Sequence, residues 1–237
     1  MKSLNPSKFL EPIGISKVDK YVKMCYNAMD QLINHKYLIG SDSEENYIYE
    51  RNLLISLAYF VGRNDRSKIG NCYLFGGEVN KHIFSHHFDN SEMETDISWI
   101  NYTKQELNFT TNYVSPDFLI HRYKKIDNIE RGGQELIVEA KSKQNVNVEE
   151  FNRDLFKQNV YLTRLHFKHA LCIFVNSTKD DIESRIGEYI RKGYYWSKDY
   201  YGKLLFLIQK DEDSHPKLYR VRNELNELSW KYFSCKQ

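Results

Sequence analysis

Pro116-Asp117 opens one apolar run, Phe118-Leu119-Ile120, and Glu139-Ala140-Lys141 closes another, Leu136-Ile137-Val138. Side chains alternate along a strand, so Glu139 and Lys141 share one face while Val138 and Ala140 take the other. A hairpin joining the two runs, reversing at Arg131-Gly132-Gly133, brings Asp117 beside Glu139. Two carboxylates that close repel unless a cation sits between them. Hard oxygen ligands with room for water suit Mg²⁺, or Mn²⁺ in its place. Such an ion lowers the pKa of a bound water and stabilises charge building on a phosphoryl oxygen, so the chemistry on offer is phosphodiester hydrolysis. Lys141 would orient the attacking water or, with a depressed pKa, accept its proton. Charges at the ends of buried strands are costly unless something uses them. The alternative is an Asp at a proline turn and a surface Glu–Lys pair on an edge strand.

The elements that must position these residues follow from periodicity. Val18, Val22, Cys25, Met29, Leu32 and Ile33 recur at helical steps, predicting a helix over 16–36, and a second helix is expected over about 44–61. Within 62–112 the expectation is short strands at 71–75 and 96–101 among polar linkers. Strands are predicted over 114–123 and 135–143, a helix over 148–167, and buried strands over 170–176 and 203–209. A helix over 180–192 separates the last two; an edge strand at 218–221 and a helix near 223–233 complete the chain. This order implies an α/β fold with a central mixed β-sheet flanked by helices.

The motif resembles the signature of the restriction-endonuclease-like superfamily, PD, a spacer, then (D/E)xK, carried here by Pro116-Asp117 and Glu139-Ala140-Lys141. The resemblance covers roughly residues 44–210. It implies a restriction-endonuclease-like core with the signature on adjacent strands, Asp117, Glu139 and the Ala140 carbonyl binding Mg²⁺, and cleavage leaving a 5′-phosphate. Members often carry a further acid on the preceding helix. Glu50 matches it, on the face of Leu54, Leu57, Ala58 and Val61, completing the catalytic and metal shell; its alternative is a helix-end Glu paired with Arg51 or Arg63. On the helix after the signature, Gln158 falls among the apolar positions Phe151, Leu155, Leu162 and Leu165. In RecB-type relatives a Gln there, followed by Tyr four residues on, borders the active site; here Tyr161 follows after three. Gln158 is therefore a candidate substrate contact, or an amide bonded to neighbouring backbone. Lys143, on the strand face of Lys141, is a candidate phosphate contact.

Domain organisation reads as a helical extension over 1–43 packed on a nuclease-like domain over 44–237, with an insertion around 62–112. The implied partner is DNA, cut as a duplex in the manner of restriction enzymes, with a homodimer as the working form because one site cuts one strand. The alternatives are a structure-selective resolvase or repair nuclease on the same fold, or a non-catalytic DNA- or protein-binding member. A net charge of +2 exerts no global pull on nucleic acid, so positive potential must be local. Arg153, Lys157, Arg164 and Lys168 form a stripe read as a solvated face turned away from Gln158. His82, His86 and His87, and the pair His166 and His169, lack the Cys or acid that would complete a zinc set. The four scattered cysteines read as free thiols, and no apolar stretch approaches the ~20 residues that span a bilayer. The expected location is the cytoplasm.

Overall fold

The computed structural model describes residues 9–34, 54–59, 72–76, 81–82, 93–110, 113–122, 134–142, 147–211, 214–223 and 225–236. Strand β1 (Leu10–Pro12) precedes helix α1 (Lys20–Asn34), and residues 54–59 form helix α2. Strands β2 (Cys72–Gly76) and β3 (Lys81–His82) lead to helix α3 (Met93–Glu106), then β4 (Tyr113–Val114), β5 (Phe118–Arg122) and β6 (Gln134–Lys141). The chain continues through α4 (Val148–Thr163), β7 (His169–Val175), α5 (Lys179–Arg191), β8 (Leu204–Gln209), β9 (Lys217–Val221) and α6 (Leu225–Ser234).

Seven strands make one mixed sheet in the order β1-β9-β8-β7-β6-β5-β2, while β3 and β4 pair separately. β6, β7 and β8 run parallel, and the remaining neighbours are antiparallel. Parallel neighbours need crossover helices, which α4 and α5 supply. Both lie on one face, packing Phe151, Leu155, Ile182 and Ile186 against Ile137, Cys172, Phe174 and Phe206. The opposite face buries Val138, Ala140, Leu171, Ile173 and Leu207 under Val22, Cys25, Met29 and Leu32 of α1 and Leu57 of α2. Alternate residues of each central strand thus enter different cores, which is why β7 and β8 read as continuous apolar runs.

Three expectations need correction. Residues 96–101 lie within α3, not in a strand. Trp99 and Ile100 are both buried in the same core, with Thr103 and Leu107 one and two turns on. Adjacent residues cannot share one face of a strand, whereas a helix buries such a set on one side. The strand over 218–221 is not the sheet's edge, because β1 pairs with it, Leu10 opposite Val221 and Pro12 opposite Tyr219. The strand expected over 114–123 is split at Ser115-Pro116-Asp117: β4 joins the small sheet and β5 the large one. Proline has no N–H for a ladder and ends the pairing there.

Candidate functional site

Strand β5 pairs with β6 so that Phe118 faces Val138 and Leu119 faces Ile137. Asp117 lies one step beyond the last of these pairs, next to Glu139. The Ala140 N–H donates to Asp117 Oδ2 at 2.9 Å, which fixes the aspartate across the strand ends. Glu139 and Lys141 follow Ile137 on the face that receives α4, while Val138 and Ala140 enter the opposite core. The two acids and the lysine of the motif therefore gather on one side of the sheet. They lie toward the carboxyl end of β6, where α4 begins its return.

Helix α4 is started by Asn147, whose side chain accepts from the Glu149 N–H at 2.8 Å. Its first half covers a small recess lined by Glu139, Lys141, Asp154, Cys172, Phe174 and Phe206. Asp154 reaches into it and makes an ion pair with Lys141 at 3.3 Å. Lys157, one turn on, places its ammonium 2.8 Å from Glu139 Oε1 and 2.7 Å from Asp154 Oδ1. Three carboxylates thus face two ammonium groups. Glu139 is only 3% exposed. Burial raises its pKa; Lys157 pulls it back while Asp154 and Asp117 add to the rise, leaving it well above the carboxylate range. For Lys157, burial alone would favour the neutral amine, but Glu139 and Asp154 outweigh that and hold it protonated.

Gln158 is fully buried, and among the described residues neither its amide nitrogen nor its oxygen has a hydrogen-bond partner. The Tyr161 hydroxyl is likewise buried and unbonded. Burial raises the pKa of that phenol, with further increments from Glu139, Asp117 and Asp154, so Tyr161 borders the same cluster. Tyr161, three residues after Gln158, thus lies near Glu139 and Asp117. The alternative for Gln158, an amide bonded to neighbouring backbone, does not hold.

The basic stripe needs correction in part: Arg153 and Lys168 are exposed as expected, whereas Lys157 and Arg164 are turned inward. Lys157 does not face solvent but closes over Glu139. Arg153 Nε donates to the Leu107 carbonyl at 3.1 Å, Arg164 is buried, and Lys168 pairs with Glu135 at 2.8 Å. Asp154 and Lys157 join the candidate site through these ion pairs, and the motif alone misses them. Their signal is the spacing Asp154, Lys157, Gln158, Tyr161, three- and four-residue steps along one helical face. Glu50 and Lys143 lie outside the described residues. His169 sits at the start of β7, and burial lowers its pKa.

Among the described residues, no three His, Cys, Asp or Glu side chains converge as a ready-made metal cage. Mg²⁺ does not require one, since it is commonly held by one or two carboxylates and keeps several waters. The donor set suits it: Asp117, Glu139 and Asp154 are hard oxygen donors, and Glu139 Oε2 is buried without a hydrogen bond. A cation added beside these acids would favour the ionised form of Glu139, which burial and then Asp154 and Asp117 oppose. Among the described residues no helix is long and apolar enough to cross a membrane. Comparison with protein-family models, curated proteins and solved structures finds no match to this chain.

Proposed function

We propose that the chain is a Mg²⁺-dependent endonuclease of restriction-endonuclease-like fold that hydrolyses DNA phosphodiester bonds, cutting duplex DNA as a homodimer. The carrying observation is that Asp117, Glu139 and Lys141 project from neighbouring strands toward one helix, with Asp117 anchored on the Ala140 N–H. Asp117, Glu139 and the Ala140 carbonyl would hold the cation. When bound, it supplies a Lewis acid for the phosphoryl oxygen and makes a water acidic enough to attack. The chain's own residues supply position. Asp117 is fixed in rotamer by its hydrogen bond, and Lys141 is held in the recess by Asp154, where its ammonium can donate to the attacking water or the phosphate. Gln158, one turn after Asp154 on the same helical face, keeps an unbonded amide among the described residues.

The test is cleavage of plasmid and oligonucleotide duplexes in Mg²⁺ or Mn²⁺, with single-stranded and branched DNA alongside. Activity should vanish in EDTA. Asp117→Asn keeps an acceptor for the Ala140 N–H but removes the charge, and Lys141→Ala removes the ammonium; each should cut the rate ~10²-fold or more. Lys141→Ala should still bind DNA about as well. Unchanged cleavage in both variants would overturn the proposal.

A further inference from the structure

The charged pair on α4 is more than the phosphodiesterase reading requires. Lys157 reaches back from the helix to touch Glu139 and Asp154 at once, at 2.8 and 2.7 Å, while remaining only 16% exposed. We propose that Lys157 is an internal counter-ion occupying the place of the divalent cation, displaced when that cation binds, and that Asp154 is an additional carboxylate for the cation. The inference rests on the reading of Asp117 and Glu139 as cation ligands.

A purely structural salt bridge would explain the two distances, but not what surrounds them. Gln158, the next residue, is fully buried with both amide atoms unbonded, and the Tyr161 hydroxyl one turn along is buried and unbonded too. A helix face built only for stability would satisfy or omit such groups. Together they leave, among the described residues, unbonded buried polar groups on the helical face that carries Asp154 and Lys157. Asp154 is 15% exposed, which gives solvent and ions a way in, and it also contacts Lys141 at 3.3 Å. It therefore joins the two ammonium groups to the acids. A lysine stem is flexible and its head a compact monovalent charge, so a dication at the same oxygens outcompetes it and the ammonium swings toward water. Displacing Lys157 then subtracts from the affinity that the carboxylates alone would provide.

The experiment is Mn²⁺ binding to the full chain without DNA, followed by the electron paramagnetic resonance of free Mn²⁺ and by the shift in melting temperature on adding Mn²⁺. Lys157→Met, which keeps the stem and removes the charge, should tighten Mn²⁺ binding on the order of tenfold. Lys157→Arg, whose guanidinium grips carboxylates more firmly, should weaken it. Asp154→Asn should also weaken it, on the order of tenfold. If Lys157→Met fails to fold, the Arg and Asn variants still decide the matter. Binding that disappears in Asp117→Asn yet is unaltered by the Lys157 and Asp154 substitutions overturns the counter-ion role alone. Absence of stoichiometric binding in the native chain and in every variant overturns the cation site itself.

Discussion

At Gln158 a fully buried amide makes no hydrogen bond through either of its polar atoms. An unsatisfied amide costs about 1–3 kcal/mol, and removing it in favour of an apolar group of similar shape recovers much of that. Gln158→Leu should therefore raise stability by ~1 kcal/mol or more, read from urea unfolding, while reducing any DNA cleavage. A clear loss of stability would mean that the amide is bonded after all. Asp117, Glu139 and Lys141 were legible from the chain because strand alternation is rigid and the charged ends of apolar runs stand out. Asp154 and Lys157 were not, although their spacing to Gln158 and Tyr161 is regular. On a helix a charged residue beside the apolar stripe reads as solvent-facing, and only the position of β6 beneath α4 shows that Lys157 bends inward to Glu139.

Helices α3, α5 and α6 meet where the chain leaves α5. Gly193 there has φ +66, and an added Cβ would come within 2.9 Å of the Phe233 backbone nitrogen. Trp99 of α3 donates through Nε1 to the Gly193 carbonyl at 2.8 Å and stacks on Phe233 of α6 at 5.3 Å. Thr103 accepts from the Tyr195 N–H at 2.7 Å, completing the junction. Gly193→Ala should cost ~2 kcal/mol or more, since left-handed backbone alone costs an L-residue about 1–2 kcal/mol and the contact with α6 adds to it. Thermal unfolding should show the loss, with any Mg²⁺-dependent cleavage retained below the melting temperature, because the junction residues do not line the recess under α4. This scale was unevenly legible. Helices α1, α4 and α5 and strands β6, β7 and β8 follow from periodicity. Residues 96–101 offer too short a stretch to tell strand from helix, and the helical set Trp99, Ile100, Thr103 and Leu107 emerges only with the tertiary contacts. The pairing of β1 with β9 joins opposite ends of the chain, and no local pattern announces it.

The two faces of the sheet carry separate cores, and each contains a cysteine: Cys25 on α1 beneath one face, Cys172 on β7 beneath the other. Burial pushes the Cys25 thiol up to about 12. Burial, then the nearby Glu139 and Asp154, places Cys172 well above the ordinary thiol range as well. At pH 8 a thiol of pKa about 12 is ionised in roughly one molecule in 10⁴, so neither reacts appreciably without opening of the structure. Cys235, exposed after α6, should be alkylated before either of them. Peptide mapping after pulsed alkylation in rising urea then reports on each core separately. The central strands serve both layers at once, since Val138 and Ile137, or Leu171 and Cys172, are neighbours in sequence that fill opposite cores. Loss of either layer exposes the sheet that the other needs. Cys25 and Cys172 should therefore become reactive with the same urea midpoint, the mark of one cooperative unit. A midpoint for Cys25 well below that for Cys172 would show α1 detaching from a surviving sheet, and would make the helical face that holds the candidate site stable without it.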